Sequence, residues 1–72
     1  MELQRVSSTN IFSIGYDQTK SILRIKFKSG AIYDYTNVPL NLYEGIINTP
    51  GSKTGYLNSF IKPFYPATKV HF

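Results

Sequence analysis

The chain has no cysteine and a single histidine among its 72 residues. Without thiols, neither a disulfide nor a thiolate metal site can supplement its core. The histidine, His71, is next to last. Chain ends are usually mobile, and a catalytic base must be held by a third group, so nucleophilic catalysis is not expected. Acidic residues are also few. Glu2, Asp17, Asp34 and Glu44 show no metal-ligand spacing, so neither a metal nor a cofactor is expected. No apolar run approaches the roughly 18 residues of a membrane span. The opening Met1-Glu2-Leu3-Gln4-Arg5-Val6-Ser7-Ser8 lacks the apolar segment of a secretory signal. The expectation is a cytoplasmic, non-enzymatic protein with no membrane partner.

What is present is basic and aromatic. Eight Lys/Arg against four Asp/Glu leave a net charge of +4. That biases the chain toward anionic partners, provided the charge gathers on one face. Six tyrosines and five phenylalanines must supply much of the core. A chain this short buries only about 60% of its unfolded surface. It must pack those rings well or gain stability as a homo-oligomer.

The pattern predicts one domain over residues 1–72, with a loose N-terminal segment at 1–9 and a C-terminal tail at 67–72. Phe12, Ile14 and Tyr16 alternate with Ser13 and Gly15, a first strand over residues 10–16. Residues 17–21 form a turn. Residues 22–28 place Leu23, Ile25 and Phe27 on one face and Arg24, Lys26 and Lys28 on the other, and residues 31–36 make a third strand. Pro39 suits the first position of a helix. Leu40, Tyr43, Ile46 and Ile47 follow at helical spacing, and Gly45 implies that this helix is short or packed close to something. Asn48-Thr49-Pro50-Gly51 stops it, and Ser52 caps a second helix with an apolar stripe of Tyr56, Leu57, Phe60 and Ile61. The expected fold class is α+β: a three-stranded antiparallel sheet followed by two short helices on one face, in the order β-β-β-α-α.

The central hairpin, residues 23–39, admits two registers. A two-residue loop at Ser29-Gly30 sets Lys26 opposite Tyr33 and Arg24 opposite Tyr35, a basic-aromatic face suited to single-stranded nucleic acid. A three-residue loop with Gly30 left-handed pairs Phe27 with Ala31, Ile25 with Tyr33, Leu23 with Tyr35 and Arg24 with Asp34. The second makes one face consistently apolar, and register follows the hydrophobic pattern. In it Tyr33 and Tyr35 build the core or line the floor of a site.

Gly51-Ser52-Lys53-Thr54-Gly55 invites comparison with a phosphate loop. That pattern needs Gly directly before Lys and Ser/Thr, and another Gly five residues earlier. Here Ser52 intervenes, and Ile46 holds the earlier position. A weaker reading is a helix start that binds an anion through free N–H groups, the Ser52 and Thr54 hydroxyls and Lys53. The alternative is an ordinary cap, which accounts for Ser52 by itself. Arg24, Lys26, Lys28, Lys53 and Lys62 either form one phosphate-facing surface or are a solvated face.

The chain carries Ile14-Gly15-Tyr16-Asp17, then Leu23-x-Ile25-x-Phe27-x-x-Gly30, Tyr33-x-Tyr35, Val38-Pro39 with Tyr43, and Ser52 followed by Tyr56-Leu57-Asn58 and Ile61. In this order the pieces resemble the KTSC domain family over residues 13–65. One departure is Thr54, where the family usually has glycine two after the serine. The family takes its name from an extension at the C-terminus of some lysyl-tRNA synthetases and also occurs as small stand-alone proteins in bacteria and phages. The synthetase context implies RNA binding. A stand-alone phage or bacterial version could instead sequester a small nucleotide, a defence signal included, at a pocket between subunits, since ligand pockets run to about 300–1,000 Å³. Val70, Phe72 and the tyrosines are compatible with such self-association.

The expected function is a binding module for a phosphate-bearing ligand, either RNA or a small nucleotide. The expected ligand-binding residues are Arg24, Lys26, Lys28, Tyr33, Tyr35, Ser52, Lys53, Thr54, Asn58 and Lys62. The competing class is a protein-interaction adaptor that uses the sheet edge or the aromatic second helix.

Overall fold

The computed structural model describes residues 2–70. Strands β1 (Gln4–Arg5), β2 (Ile11–Asp17), β3 (Ile22–Phe27) and β4 (Ile32–Tyr35) precede helix α1 (Leu40–Asn48) and helix α2 (Lys53–Tyr56). The latter runs on as a π-helical turn, Leu57–Ile61, and β5 (Ala67–Val70) closes the chain. The sheet therefore has five strands in the order β1-β2-β3-β4-β5, every pairing antiparallel, and not the three expected. The class remains α+β. The two additional strands come from the segments expected to be a loose start and a tail. Gln4 and Arg5 pair with Ile14 and Ser13, and Ala67–Val70 pairs back along β4. Neither segment has a readable alternation. Both are short edge strands carrying charge, a usual way of keeping an edge from pairing with another chain. His71 and Phe72 lie outside the described residues.

The hairpin adopts the three-residue loop. Leu23 pairs with Tyr35, Arg24 with Asp34 and Ile25 with Tyr33. The Phe27 N–H donates to the Ala31 carbonyl at 2.9 Å, and Gly30 sits at φ +98°. A side chain there would meet no neighbour but would strain the backbone. The register sends Leu23, Ile25 and Tyr35 to the helix-covered face, where they are buried with Ile11, Ile14, Val38, Ile46, Leu57 and Ile61.

Pro39 is the N-cap of α1 in extended conformation, one residue before the position expected. Gly45 lets the helices meet closely, because a Cβ there would collide with the Tyr56 hydroxyl oxygen. Ser52 caps α2 as expected, its Oγ accepting the Gly55 N–H at 3.1 Å. Of the expected stripe on the second helix, Leu57 and Ile61 are buried, whereas Phe60 is 53% exposed.

Candidate ligand-binding groove

Thr54, Asn58 and Lys62 recur every four residues, so they share one side of the second helix. The π-helical turn, closed by the Lys62 N–H donating to the Leu57 carbonyl at 2.8 Å, lies within this run. Such turns are rare and often mark functional sites. Across from this side is the end of the β3–β4 hairpin. Between them runs an open groove of about 470 Å³, lined by Asn10, Phe27, Lys28, Ser29, Ala31, Tyr33, Tyr35, Thr54, Leu57, Asn58 and Lys62. It continues past Phe27, Tyr33, Tyr35 and Lys62 toward Tyr65, Pro66 and Ala67.

The floor is aromatic. Phe27 and Tyr33 meet edge to face, with centroids 5.9 Å apart. Tyr35 is buried, and burial raises its phenol pKa, with Tyr33 adding to the shift. The phenol is therefore protonated at neutral pH and can donate a hydrogen bond. The rim is polar and cationic. Lys28 stands on the hairpin side and Lys62 and Asn58 on the helix side, all exposed. The Thr54 hydroxyl lies 3.5 Å from that of Ser8, which ties the N-terminal segment to the second helix.

Six of the ten expected site residues thus converge: Lys28, Tyr33, Tyr35, Thr54, Asn58 and Lys62. The other four are placed elsewhere. Arg24 donates to both oxygens of Asp34, at 2.7 and 2.9 Å, on the opposite face of the sheet. That hydrogen bonding raises the guanidinium pKa against the lowering effect of burial. Lys26 lies over the Phe12 ring, 5.3 Å from its centroid. The Lys53 ammonium donates to the Ile46 and Ile47 carbonyls, at 3.1 and 2.9 Å, at the C-terminal end of α1. Ser52 is occupied as the cap. A four-residue α-helix whose first residues are engaged in this way presents little to an anion.

Asn10, Phe27 and Ser29 were not anticipated as site residues. Phe27 had a signal, since it ends the apolar alternation where the hairpin outruns its cover. Asn10 had none, because its place at the groove follows from the β2–β3 pairing. Among the described residues no cluster of His, Cys, Asp or Glu could hold a metal ion, and no helix is long and apolar enough to cross a membrane.

Comparison with known proteins places this arrangement in a family. The crystal structure of a KTSC domain protein from Yersinia pestis matches with a TM-score of 0.92 over 97% of both chains, at 31% identity. A protein from Tsukamurella paurometabola is 33% identical over 69 residues, 94% of this chain and 100% of its own length. A lysine–tRNA ligase from Nostoc sp. is 45% identical over 47 residues, 65% of this chain. The aligned region is only 8% of that ligase. The family model for the KTSC domain matches residues 7–65, most of the sheet and both helices, and the chain belongs to the KTSC domain family.

Proposed function

We propose that this domain is a non-enzymatic binding module that takes a nucleotide unit, free or within RNA, in the groove between the β3–β4 hairpin and the second helix. The observation that carries this reading is the pairing of two exposed lysines from different elements, Lys28 and Lys62, over a floor of Phe27, Tyr33 and Tyr35. Cations on the rim meet phosphate, and the aromatic floor takes the face of a base. Stacking of that kind contributes about 1–3 kcal/mol per base. Asn58 and the Tyr35 hydroxyl offer hydrogen bonds that orient the ligand. The similarity to part of a lysine–tRNA ligase supports an RNA context. The groove's size, about 470 Å³ in one copy, falls in the range of small-molecule sites, so a second subunit is not required to form it.

The test is titration with uridine monophosphate and with a short uridylate oligomer. Lys62→Ala and Asn58→Ala are expected to weaken binding about tenfold each, about 1.4 kcal/mol, with melting temperatures unchanged. Affinity is expected to fall steeply with added salt. Binding that survives Lys62→Ala and Lys28→Ala together would overturn the assignment.

A second reading rests on Phe60 and Phe64, which are 53% and 71% exposed beside the second helix. These rings fit a protein partner of an adaptor. A partner whose affinity ignores salt and is lost in Phe64→Ser would favour it.

A further inference from the structure

A second concavity adjoins the groove and shares Lys28 with it. Its other lining residues are Arg5, Val6, Ser7, Ser8 and Phe12. It leads from the groove onto the face of the sheet that the helices leave open. Phe12 is the residue displaced by a β-bulge, since Ile11 pairs with Phe27 and Ser13 with Lys26. The bulge leaves its ring half-exposed. The Arg5 guanidinium carbon lies 4.8 Å from the centroid of that ring, and the Lys26 ammonium lies 5.3 Å from it. Arg5 and Lys26 flank Ser13 in one cross-strand row, and the small serine between them is buried. Among the described residues, no Asp or Glu lines the groove or this concavity.

We infer that the ligand is a single strand of RNA, which leaves the groove at Lys28 and runs over Phe12 between Arg5 and Lys26. The inference rests on the reading of the groove as a nucleotide site and adds the direction and length of what it binds. Successive cations at Lys62, Lys28, Lys26 and Arg5 make a path for successive phosphates. A mononucleotide in the groove would use only the first two. The half-buried Phe12 ring, flanked by its two cations, supplies a second aromatic contact, which the bases of a single strand use and a purely anionic polymer does not. Placing Arg5 and Lys26 around one ring, with no carboxylate lining the concavity, is a mild repulsion that a polyanion relieves.

The experiment compares uridine monophosphate with uridylate oligomers of increasing length, up to the octamer, at two salt concentrations. Affinity is expected to rise at least tenfold from monomer to octamer, and the salt dependence to steepen with length. The Arg5→Gln/Lys26→Gln variant is expected to abolish that gain while monomer affinity stays unchanged. Phe12→Leu keeps both charges and is expected to lower octamer affinity with little change in the salt slope, so the path remains testable if the double variant folds poorly. Length-independent binding that is still lost in Lys62→Ala would overturn the path and leave the groove standing. Length-dependent binding indifferent to Lys62→Ala would overturn the groove itself. No binding at any length would overturn both.

Discussion

Lys53 and Lys62 lie on the same short helical segment, each near a hydroxyl or amide side chain, yet the fold uses them differently. Lys53 has its ammonium on two carbonyls at the end of α1, and the neighbouring Ser52 Oγ accepts the Gly55 N–H as a helix cap. α1 has no basic residue in its own last turn. Lys53 supplies from the next helix the cation that the negative end of the helix dipole favours. Lys62 and Asn58 stand a turn or more further on with no side-chain hydrogen bond among the described residues, and they face an open groove. A polar cluster at a helix start attracts a functional reading, but the backbone there already has uses for it. Polar side chains with no structural duty, gathered over rings, are the better candidates.

The largest effect expected is on the structural side. Gly45→Ala should destabilise the domain by about 2 kcal/mol, the range of overpacking, because the added methyl collides with the Tyr56 phenol. Adding Tyr56→Phe should recover part of that loss in a denaturant melt. An unchanged midpoint for Gly45→Ala would show that the helices are not pinned here. Lys53→Ala should cost about 1–2 kcal/mol, as charged hydrogen bonds to two carbonyls are lost. Ligand affinity, measured on the folded variant, should stay within twofold. A large affinity loss would return Lys53 to the site and collapse the contrast with Lys62.

A smaller effect concerns the groove floor. The Tyr35 pKa is raised in the folded state. As pH climbs past about 10, the unfolded chain loses this proton first. The stability Tyr35 contributes is therefore full below that pH and declines as pH rises toward the folded pKa. Tyr35→Phe should flatten this alkaline decline in melting temperature above about pH 10. An equally steep decline in the variant would assign it to other groups. Smallest, and of opposite sign to Gly45, is Gly55→Ala. Its Cβ would sit in ordinary contact with Ser52, at 3.5 Å from Cβ. The gain in helix propensity should raise stability by about 0.5–1 kcal/mol, read in the same melts.

Much of the centre of the fold was legible. Alternation across Leu23, Ile25 and Phe27, together with Gly30, was enough to favour the three-residue loop, and the observed register follows it. The Ser52 cap and the buried pair Leu57 and Ile61 were equally readable. The edge strands were not, since a strand of two residues has no period and Ala67–Val70 alternates too weakly to be separated from a tail. The groove was legible as residue types and not as a place. Lys28, Tyr33, Asn58 and Lys62 could be named, but nothing local distinguished them from Arg24 or Lys53.

By itself, then, the sequence favoured one of two registers for the central hairpin and determined the Ser52 cap and most of the apolar faces, because those depend on neighbours within a few positions and on side-chain periodicity. Only the tertiary structure decided which cations remain available. Arg24 is held by Asp34 across a strand pair, Lys26 and Arg5 are brought to Phe12 by a bulge, and Lys53 is taken up by the end of another helix. A lysine's partner is set by what lies within reach in space, and that is known only once the elements have packed.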